Sequence, residues 1–103
     1  MKTVTLGASG IECEAIGLGT WAMGGWMWGG GDDAAAVAAI RASLDAGVRL
    51  IDTAPAYGLG RSEELVGQAL AGRRQDAVIA TKCGLVWHTK KGTHFFDEDG
   101  QAV

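Results

Sequence analysis

Three short apolar runs, separated by stretches long enough for helices, constrain the fold of this chain more than any other feature. The runs cover residues 15–20, 48–52 and 77–82. Strands that alternate with helices indicate a parallel sheet with right-handed crossovers. Two α/β architectures satisfy this order: a doubly wound open sheet, and the first part of an eight-stranded barrel built from βα units.

The segments around these strands carry start signals for further elements. Asp32 or Asp33 is predicted to cap a helix that continues to about Ala46, because a short acidic side chain accepts hydrogen bonds from the free N–H groups of a first helical turn. Ser62 is predicted to cap the second helix in the same way. Residues 1–14 contain two alternating apolar pieces around a turn-rich linker, which predicts a β-hairpin.

Composition and charge exclude several classes of protein. The 103 residues carry a formal net charge of -3 without a stripe of Lys and Arg, which argues against binding to nucleic acid. No apolar run approaches the roughly 18 residues of a membrane helix, and no secretory signal is apparent. Two cysteines are too few for a disulfide scaffold, so both are predicted to be reduced, with Cys83 buried and inert. We therefore expect a cytoplasmic protein without a membrane partner.

Polar side chains stand at the ends of two of the predicted strands. Asp52 ends the second strand and Lys82 ends the third, 30 residues later. If these strands are neighbours they lie roughly 5 Å apart. The carboxylate and the ammonium group would then meet at the face where parallel α/β folds bind ligands. Tyr57 follows in the loop after Asp52. An ammonium group near a phenol favours the phenolate, so the three residues together suit a tuned proton donor.

Each of these three residues also has an ordinary explanation. An Asp at a strand end is commonly a turn or cap residue, a Lys there is commonly solvated, and a single Tyr commonly packs in a core. Spacing alone therefore leaves the structural and the functional interpretations evenly balanced.

A glycine-rich segment near the first strand bears on the choice of architecture. Residues 17–22 loosely match the dinucleotide-binding pattern G-x-G-x-x-A. That pattern requires a helix that begins within it and an acidic residue roughly 20 positions later. The Gly- and Trp-rich residues 23–31 cannot begin a helix, and no strand ends in an acidic residue at that distance. This disfavours the doubly wound sheet.

The four tryptophans, Trp21, Trp26, Trp28 and Trp87, are predicted to lie in loops at the ligand face. Core packing explains any one of them. Four in loops favour a pocket wall for an apolar or aromatic substrate, with Trp21, Trp26, Tyr57 and Trp87 as the predicted lining.

A metal site is not predicted. The spacing of His88, His94 and the acidic residues 97–99 matches no compact set of metal ligands, and a solvated hairpin explains these residues better.

Four stretches of the sequence resemble the aldo-keto reductase family. They lie at the three predicted strand ends and at the start of the second helix, and they cover residues 17–21, 51–58, 60–70 and 81–82. The resemblance implies a (β/α)8 TIM barrel with an N-terminal hairpin that closes its bottom. It also implies the reduction of a small aldehyde or ketone to an alcohol with NADP(H).

The resemblance further implies roles for individual residues. Tyr57 resembles the general acid that protonates the substrate oxygen, Lys82 the lysine that makes the phenol more acidic, and Asp52 the partner of that lysine. The surface beneath the nicotinamide ring is implied to consist of four residues: Gly19, Thr20, Trp21 and Asp52.

The sequence departs from the family's pattern after the third strand. The family's fourth catalytic residue is a histidine at the end of the next strand. His88 and His94 follow Lys82 too closely to fill that place. Residues 85–103 match no shared motif and are predicted to form a loop over the mouth of the barrel.

We therefore interpret residues 1–103 as one partial barrel domain: a hairpin over 1–14, three strands and two helices over 15–84, and the loop over 85–103. Three strands cannot close a barrel of eight. The chain is thus expected to be inactive alone, and to associate with the missing C-terminal portion or with itself through an open edge. Two other interpretations stay open: a nucleotide-binding regulatory module of the same fold, such as those of potassium channels, and a non-functional fragment.

Overall fold

The N-terminal hairpin consists of β1 (Thr3–Thr5) and β2 (Glu12–Glu14), which pair antiparallel. The computed structural model describes residues 1–25 and 31–84. Cys13, in the middle of β2, is fully buried, so one face of the hairpin is covered by the rest of the chain. The hairpin predicted for the first 14 residues is confirmed.

The three predicted strands form one parallel sheet in which the spatial order follows the chain order. They are β3 (Leu18–Gly19), β4 (Leu50–Asp52) and β5 (Val78–Ala80). Each strand is shorter than the apolar run that predicts it. At the start of the first run, the N–H of Ala15 pairs with the hairpin and not with β4: it donates to the Lys2 carbonyl at 2.8 Å. The predicted alternation of strands and helices is confirmed.

Helix α1 (Asp33–Asp45) begins as predicted. Asp32 is its N-cap in an extended conformation, and the Oδ1 atom accepts a hydrogen bond from the Ala35 N–H at 3.0 Å. This bond satisfies one of the free donors of the first turn, which explains why the helix begins there.

Helix α2 (Arg61–Ala69) begins differently from the prediction. Its N-cap is Gly60, whose φ of 96° lies in the left-handed region that glycine adopts without strain. Ser62 is the second residue of the helix and is fully buried, so its prediction as a cap is wrong. Among the described residues, no helix is long and apolar enough to cross a membrane.

The core lies where α1 and α2 pack against the sheet, and it is built from Ile40, Leu44, Ile51, Val66, Ala69, Leu70 and Ala77. Ile40 and Ile51 have no exposed surface. Burying a side chain of that size contributes about 1.5–3 kcal/mol to the stability of a fold. The central strand β4 is therefore held firmly, and its carboxyl end is a fixed platform for the residues that follow it.

The hairpin is joined to the sheet by an ion pair. The Nε atom of Arg49 lies 2.9 Å from Oε1 of Glu14, and the Arg49 backbone N–H donates to Oε2 of Glu14 at 3.1 Å. Desolvation raises the pKa of Glu14, but the hydrogen bonds from Arg49 outweigh it and hold that pKa below its ordinary value. The carboxylate form of Glu14 is thus the one that fastens the hairpin.

Candidate active site

Asp52 and Lys82 meet at the carboxyl ends of neighbouring strands. Asp52 ends β4 and pairs in register with Ala80 of β5, and Lys82 follows two residues later. The Nζ atom of Lys82 donates to Oδ1 of Asp52 at 2.9 Å and to the Thr53 carbonyl at 2.8 Å. The two side chains are 44% and 50% exposed, so the pair is open to solvent on one side.

Tyr57 completes the group from the loop that follows β4. Its hydroxyl donates to Oδ2 of Asp52 at 3.3 Å, and Nζ of Lys82 lies 4.8 Å from the centre of its ring. A cation at that distance is attracted to the electron-rich face of the ring. The structure thus brings together all three residues that the sequence singled out for proton transfer.

The charge of Lys82 follows from its neighbours. Desolvation lowers the pKa of Lys82, but the hydrogen bond and charge of Asp52, together with Tyr57, outweigh it and raise that pKa above its ordinary value. Lys82 is therefore an ammonium ion at neutral pH, held beside the phenol of Tyr57.

The residues predicted to lie beneath the nicotinamide surround the end of β3. Gly19 is exposed and pairs with Asp52, and a Cβ atom built on Gly19 would meet nothing within 4 Å. Trp21 is 44% exposed. Thr20 is fully buried, and its hydroxyl donates to the Asp52 carbonyl at 2.8 Å. Gly19 and Trp21 therefore present the accessible surface, and Thr20 lies underneath it.

One wall of the group is aromatic. The rings of Trp21 and Tyr57 are stacked, with centres 6.1 Å apart and planes inclined by 26°. Trp26 and Trp87, which were predicted to line the same pocket, lie outside the described residues, as do His88 and His94.

A small apolar cleft of about 90 Å³ adjoins the ion pair, and six residues line it: Ala54, Pro55, Ala56, Tyr57, Lys82 and Cys83. Cys83 is exposed, so the prediction that it is buried is wrong. It follows the end of β5, where the chain leaves the sheet. No group of three or more His, Cys, Asp or Glu residues within 1–25 and 31–84 is arranged to hold a metal.

Two glycines bring the turn after β3 against the loop that carries Tyr57. A Cβ atom on Gly24 would lie 2.7 Å from the carbonyl carbon and oxygen of Tyr57, and one on Gly58 would collide with the backbone of Gly24. This contact was not predicted from the sequence, because glycines in two distant loops carry no signal that they touch.

A buried group of three hydroxyls supports the site from below. Oγ of Ser62 lies 2.5 Å from Oγ1 of Thr20 and 2.9 Å from Oγ1 of Thr53, and all three residues are at most 2% exposed. Sequence reasoning missed Ser62 and Thr53, since a Ser near the start of a helix is usually a cap. The available signal was the position of both threonines directly after strands.

The strand order and the polar groups at the carboxyl ends of the strands fit the N-terminal part of a (β/α)8 barrel. It belongs to the Aldo/keto reductase family, whose sequence model matches residues 15–101. Aldo-keto reductase YhdN of Bacillus subtilis is 53% identical over 89 residues, and the match covers 84% of this chain and 27% of that protein. The NADH-specific methylglyoxal reductase of Escherichia coli is 45% identical over 98 residues, which covers 92% and 30%. The chain thus spans less than a third of the length of either relative.

Solved structures agree with this assignment. A glycerol dehydrogenase from Gluconobacter oxydans superposes with a TM-score of 0.70 at 50% identity, over 84% of this chain and 27% of that one. An aldo-keto reductase from Klebsiella pneumoniae in complex with NADP and acetate superposes with a TM-score of 0.61 at 43% identity, over 70% and 24%. The barrel expectation is confirmed, and the doubly wound sheet is excluded.

Proposed function

We propose that this chain supplies the proton-donating part of a reductase that converts aldehydes or ketones to alcohols with NADP(H). One observation carries the proposal. The Tyr57 hydroxyl lies 3.3 Å from one oxygen of Asp52, and the other oxygen of that carboxylate accepts a hydrogen bond from Lys82 at 2.9 Å. A phenol can serve as the proton donor at a ligand-binding face, and the neighbouring ammonium ion and carboxylate then set how readily it gives up its proton.

The chemistry of the three residues follows from their contacts. A bound nicotinamide would supply the hydride to the carbonyl carbon of the substrate. The carbonyl oxygen then gains negative charge and takes the proton of the Tyr57 hydroxyl. The phenolate that remains is stabilised by the Lys82 ammonium beside its ring. Asp52 holds that ammonium in place through its Oδ1 atom.

The surface at the end of β3 supports a flat cofactor ring. Gly19 has no side chain, a Cβ atom there would meet nothing within 4 Å, and Trp21 nearby is 44% exposed. The NADP form of the cofactor is proposed by family resemblance, supported by the Klebsiella pneumoniae relative that binds NADP. The E. coli relative is named for NADH.

The proposed substrate is a small carbonyl compound. The cleft beside Tyr57 is lined mainly by apolar side chains and measures about 90 Å³, which suits a short aldehyde or ketone more than a sugar. The E. coli relative is named for methylglyoxal, an aldehyde of that size.

The test uses a fusion that we call the completed barrel. It joins residues 1–103 to the C-terminal part of the E. coli methylglyoxal reductase that follows the matched segment. NADH oxidation is followed with methylglyoxal and with 4-nitrobenzaldehyde, and the parent reductase is the positive control. Turnover that is lost in Tyr57→Phe supports the proposal. A folded completed barrel without turnover, or one that Tyr57→Phe leaves unchanged, contradicts it.

Two further parts of the proposal have their own measurements. The 103-residue chain alone is expected to show no turnover, and measured activity of that chain would overturn this expectation. A second fusion, with the C-terminal part of the Klebsiella pneumoniae reductase, is expected to bind NADPH. Failure to bind, while that reductase itself binds NADPH, would contradict the fit of the strand end to the cofactor.

A further inference from the structure

Ser62 contacts the loop that carries Tyr57 and the residues that directly follow β3 and β4. Its backbone N–H donates to the Tyr57 carbonyl at 3.1 Å. Its side-chain hydroxyl contacts the hydroxyls of Thr20 and Thr53, which directly follow β3 and β4. Ser62 has no exposed surface, so no cofactor or substrate reaches it.

The three hydroxyls donate in one direction. The Thr20 hydroxyl has one proton and donates it to the Asp52 carbonyl at 2.8 Å. In the Ser62–Thr20 contact the proton therefore comes from Ser62, whose hydroxyl also donates to the Thr20 carbonyl at 3.2 Å. The proton of Ser62 is then used, so Thr53 donates to Ser62. The series runs from Thr53 through Ser62 and Thr20 to the backbone of Asp52.

Both ends of this series touch the ion pair of the candidate active site. Its last acceptor is the backbone carbonyl of Asp52, whose carboxylate binds Lys82. Its first donor is Thr53, whose backbone carbonyl accepts from the Lys82 ammonium at 2.8 Å. We propose that Ser62 is a positioning residue, whose buried hydroxyl sets the geometry of Asp52 and Lys82 and, through the Asp52 carboxylate, that of the Tyr57 hydroxyl. The inference rests on the function proposed above and deepens it.

Breaking this series of hydrogen bonds is unfavourable because its hydroxyl groups are buried. No buried side-chain nitrogen or oxygen of the described residues lacks a hydrogen-bond partner. Removing the Ser62 hydroxyl leaves the Thr20 oxygen without its donor and the Thr53 proton without its acceptor, and buried groups in that state are unfavourable. The ends of β3 and β4 then shift to find new partners. A shift on the order of 1 Å in a catalytic group slows a reaction up to about a hundredfold.

The test compares Ser62→Ala with a matched core variant in the completed barrel. Ser62→Ala is expected to lower the single-turnover rate of cofactor oxidation by about ten- to a hundredfold, with a KM change below about threefold. Val66→Ala removes buried side-chain volume from the same helix, one turn further on, without touching the hydroxyls. It is expected to lower the melting temperature while the rate stays near that of the parent.

The pH profile separates positioning from simple loss of stability. A displaced Asp52 stabilises the Lys82 ammonium less, so Ser62→Ala is expected to move the alkaline limb of the single-turnover rate to lower pH. Val66→Ala is expected to leave that limb in place. If Ser62→Ala does not fold, Thr53→Val carries the test. It removes only the first donor of the series, and a fall of about threefold or more is expected, smaller than that expected for Ser62→Ala.

The outcomes separate the two proposals. A folded Ser62→Ala with the parent's rate and pH limb overturns the inference, as does an equal loss of rate in Val66→Ala. When Ser62→Ala does not fold, an unchanged rate in Thr53→Val overturns it. In each case an inactive Tyr57→Phe leaves the proposed function standing. An active Tyr57→Phe defeats the proposed function itself.

Discussion

The ammonium group of Lys82 lies 2.9 Å from the carboxylate of Asp52, and the two residues belong to the ends of neighbouring parallel strands. Both side chains are about half exposed. Ion pairs that open to water contribute between 0 and about 1 kcal/mol to stability, so this pair adds little to the stability of the fold. Its consequence is local: it keeps a positive charge beside the Tyr57 ring.

Tyr57→Phe tests the proton donor. The substitution removes the hydroxyl and keeps the ring that stacks on Trp21. In the completed barrel, we expect the single-turnover rate to fall by about 10²- to 10⁴-fold, the range that general acid catalysis supplies. Cofactor affinity, measured by fluorescence titration, and the melting temperature should stay close to the parent's values. A variant that loses cofactor affinity in proportion to rate would indicate a binding role for Tyr57.

Asp52→Asn tests whether the Asp52 carboxylate raises the pKa of Lys82. The carboxylate raises the Lys82 pKa, so the amide should let this pKa fall and move the alkaline limb of the pH–rate profile to lower pH. A group with a raised pKa in the folded state stabilises the protein fully below its unfolded pKa and loses that effect as pH rises through the folded value. Melting temperatures of parent and variant should therefore converge at strongly alkaline pH. An unmoved rate limb would contradict the control by Asp52.

Gly24→Ala tests the contact between the turn after β3 and the loop that carries Tyr57. The new Cβ atom would lie 2.7 Å from the Tyr57 backbone, so the loop that carries the phenol must move. We expect a loss of rate on the order of tenfold or more, since the displaced hydroxyl no longer meets the substrate oxygen in line. Gly67→Ala is the matched control, because a Cβ atom there meets nothing within 4 Å inside α2. That change should keep the rate and stabilise the helix by about 0.5–1 kcal/mol, as chemical denaturation would report.

Glu14→Gln tests the attachment of the hairpin. The pKa of Glu14 is lowered in the folded protein, so its contribution to stability is present above its unfolded pKa and is lost as pH falls through the folded value. At neutral pH, the variant should show faster amide hydrogen exchange in β1 and β2 than the parent. The difference should shrink as pH falls through the lowered pKa of Glu14, because the parent's carboxylate is then protonated too. Equal exchange at neutral pH would show that packing of Cys13 alone holds the hairpin.

Features that depend on neighbours in the chain were predictable. The N-cap at Asp32 follows from one side chain and the next turn of backbone. The meeting of Asp52 and Lys82 follows from their equal place at the ends of two successive strands, because a right-handed βα step puts such strands side by side. The family motif around Tyr57 adds the position of the phenol at the same edge.

Features that depend on distant packing were not predictable. Ser62 has the sequence surroundings of a cap, yet the left-handed Gly60 caps the helix two residues earlier, and the Ser62 hydroxyl contacts the residues that follow β3 and β4. Cys83 follows an apolar run, yet it is exposed, because the sheet ends at Ala80.

The sequence by itself determined the order of strands and helices, the first helix cap and the three polar residues of the candidate active site. Each of these rests on local backbone preference and on the regular geometry of a parallel sheet. The tertiary structure alone decided which groups lie beneath that site. The hydrogen bond between Ser62 and Thr20, and the contact between Gly24 and Gly58, join segments more than 30 residues apart. Their contact depends on how α2 packs on the sheet, and no local pattern encodes it.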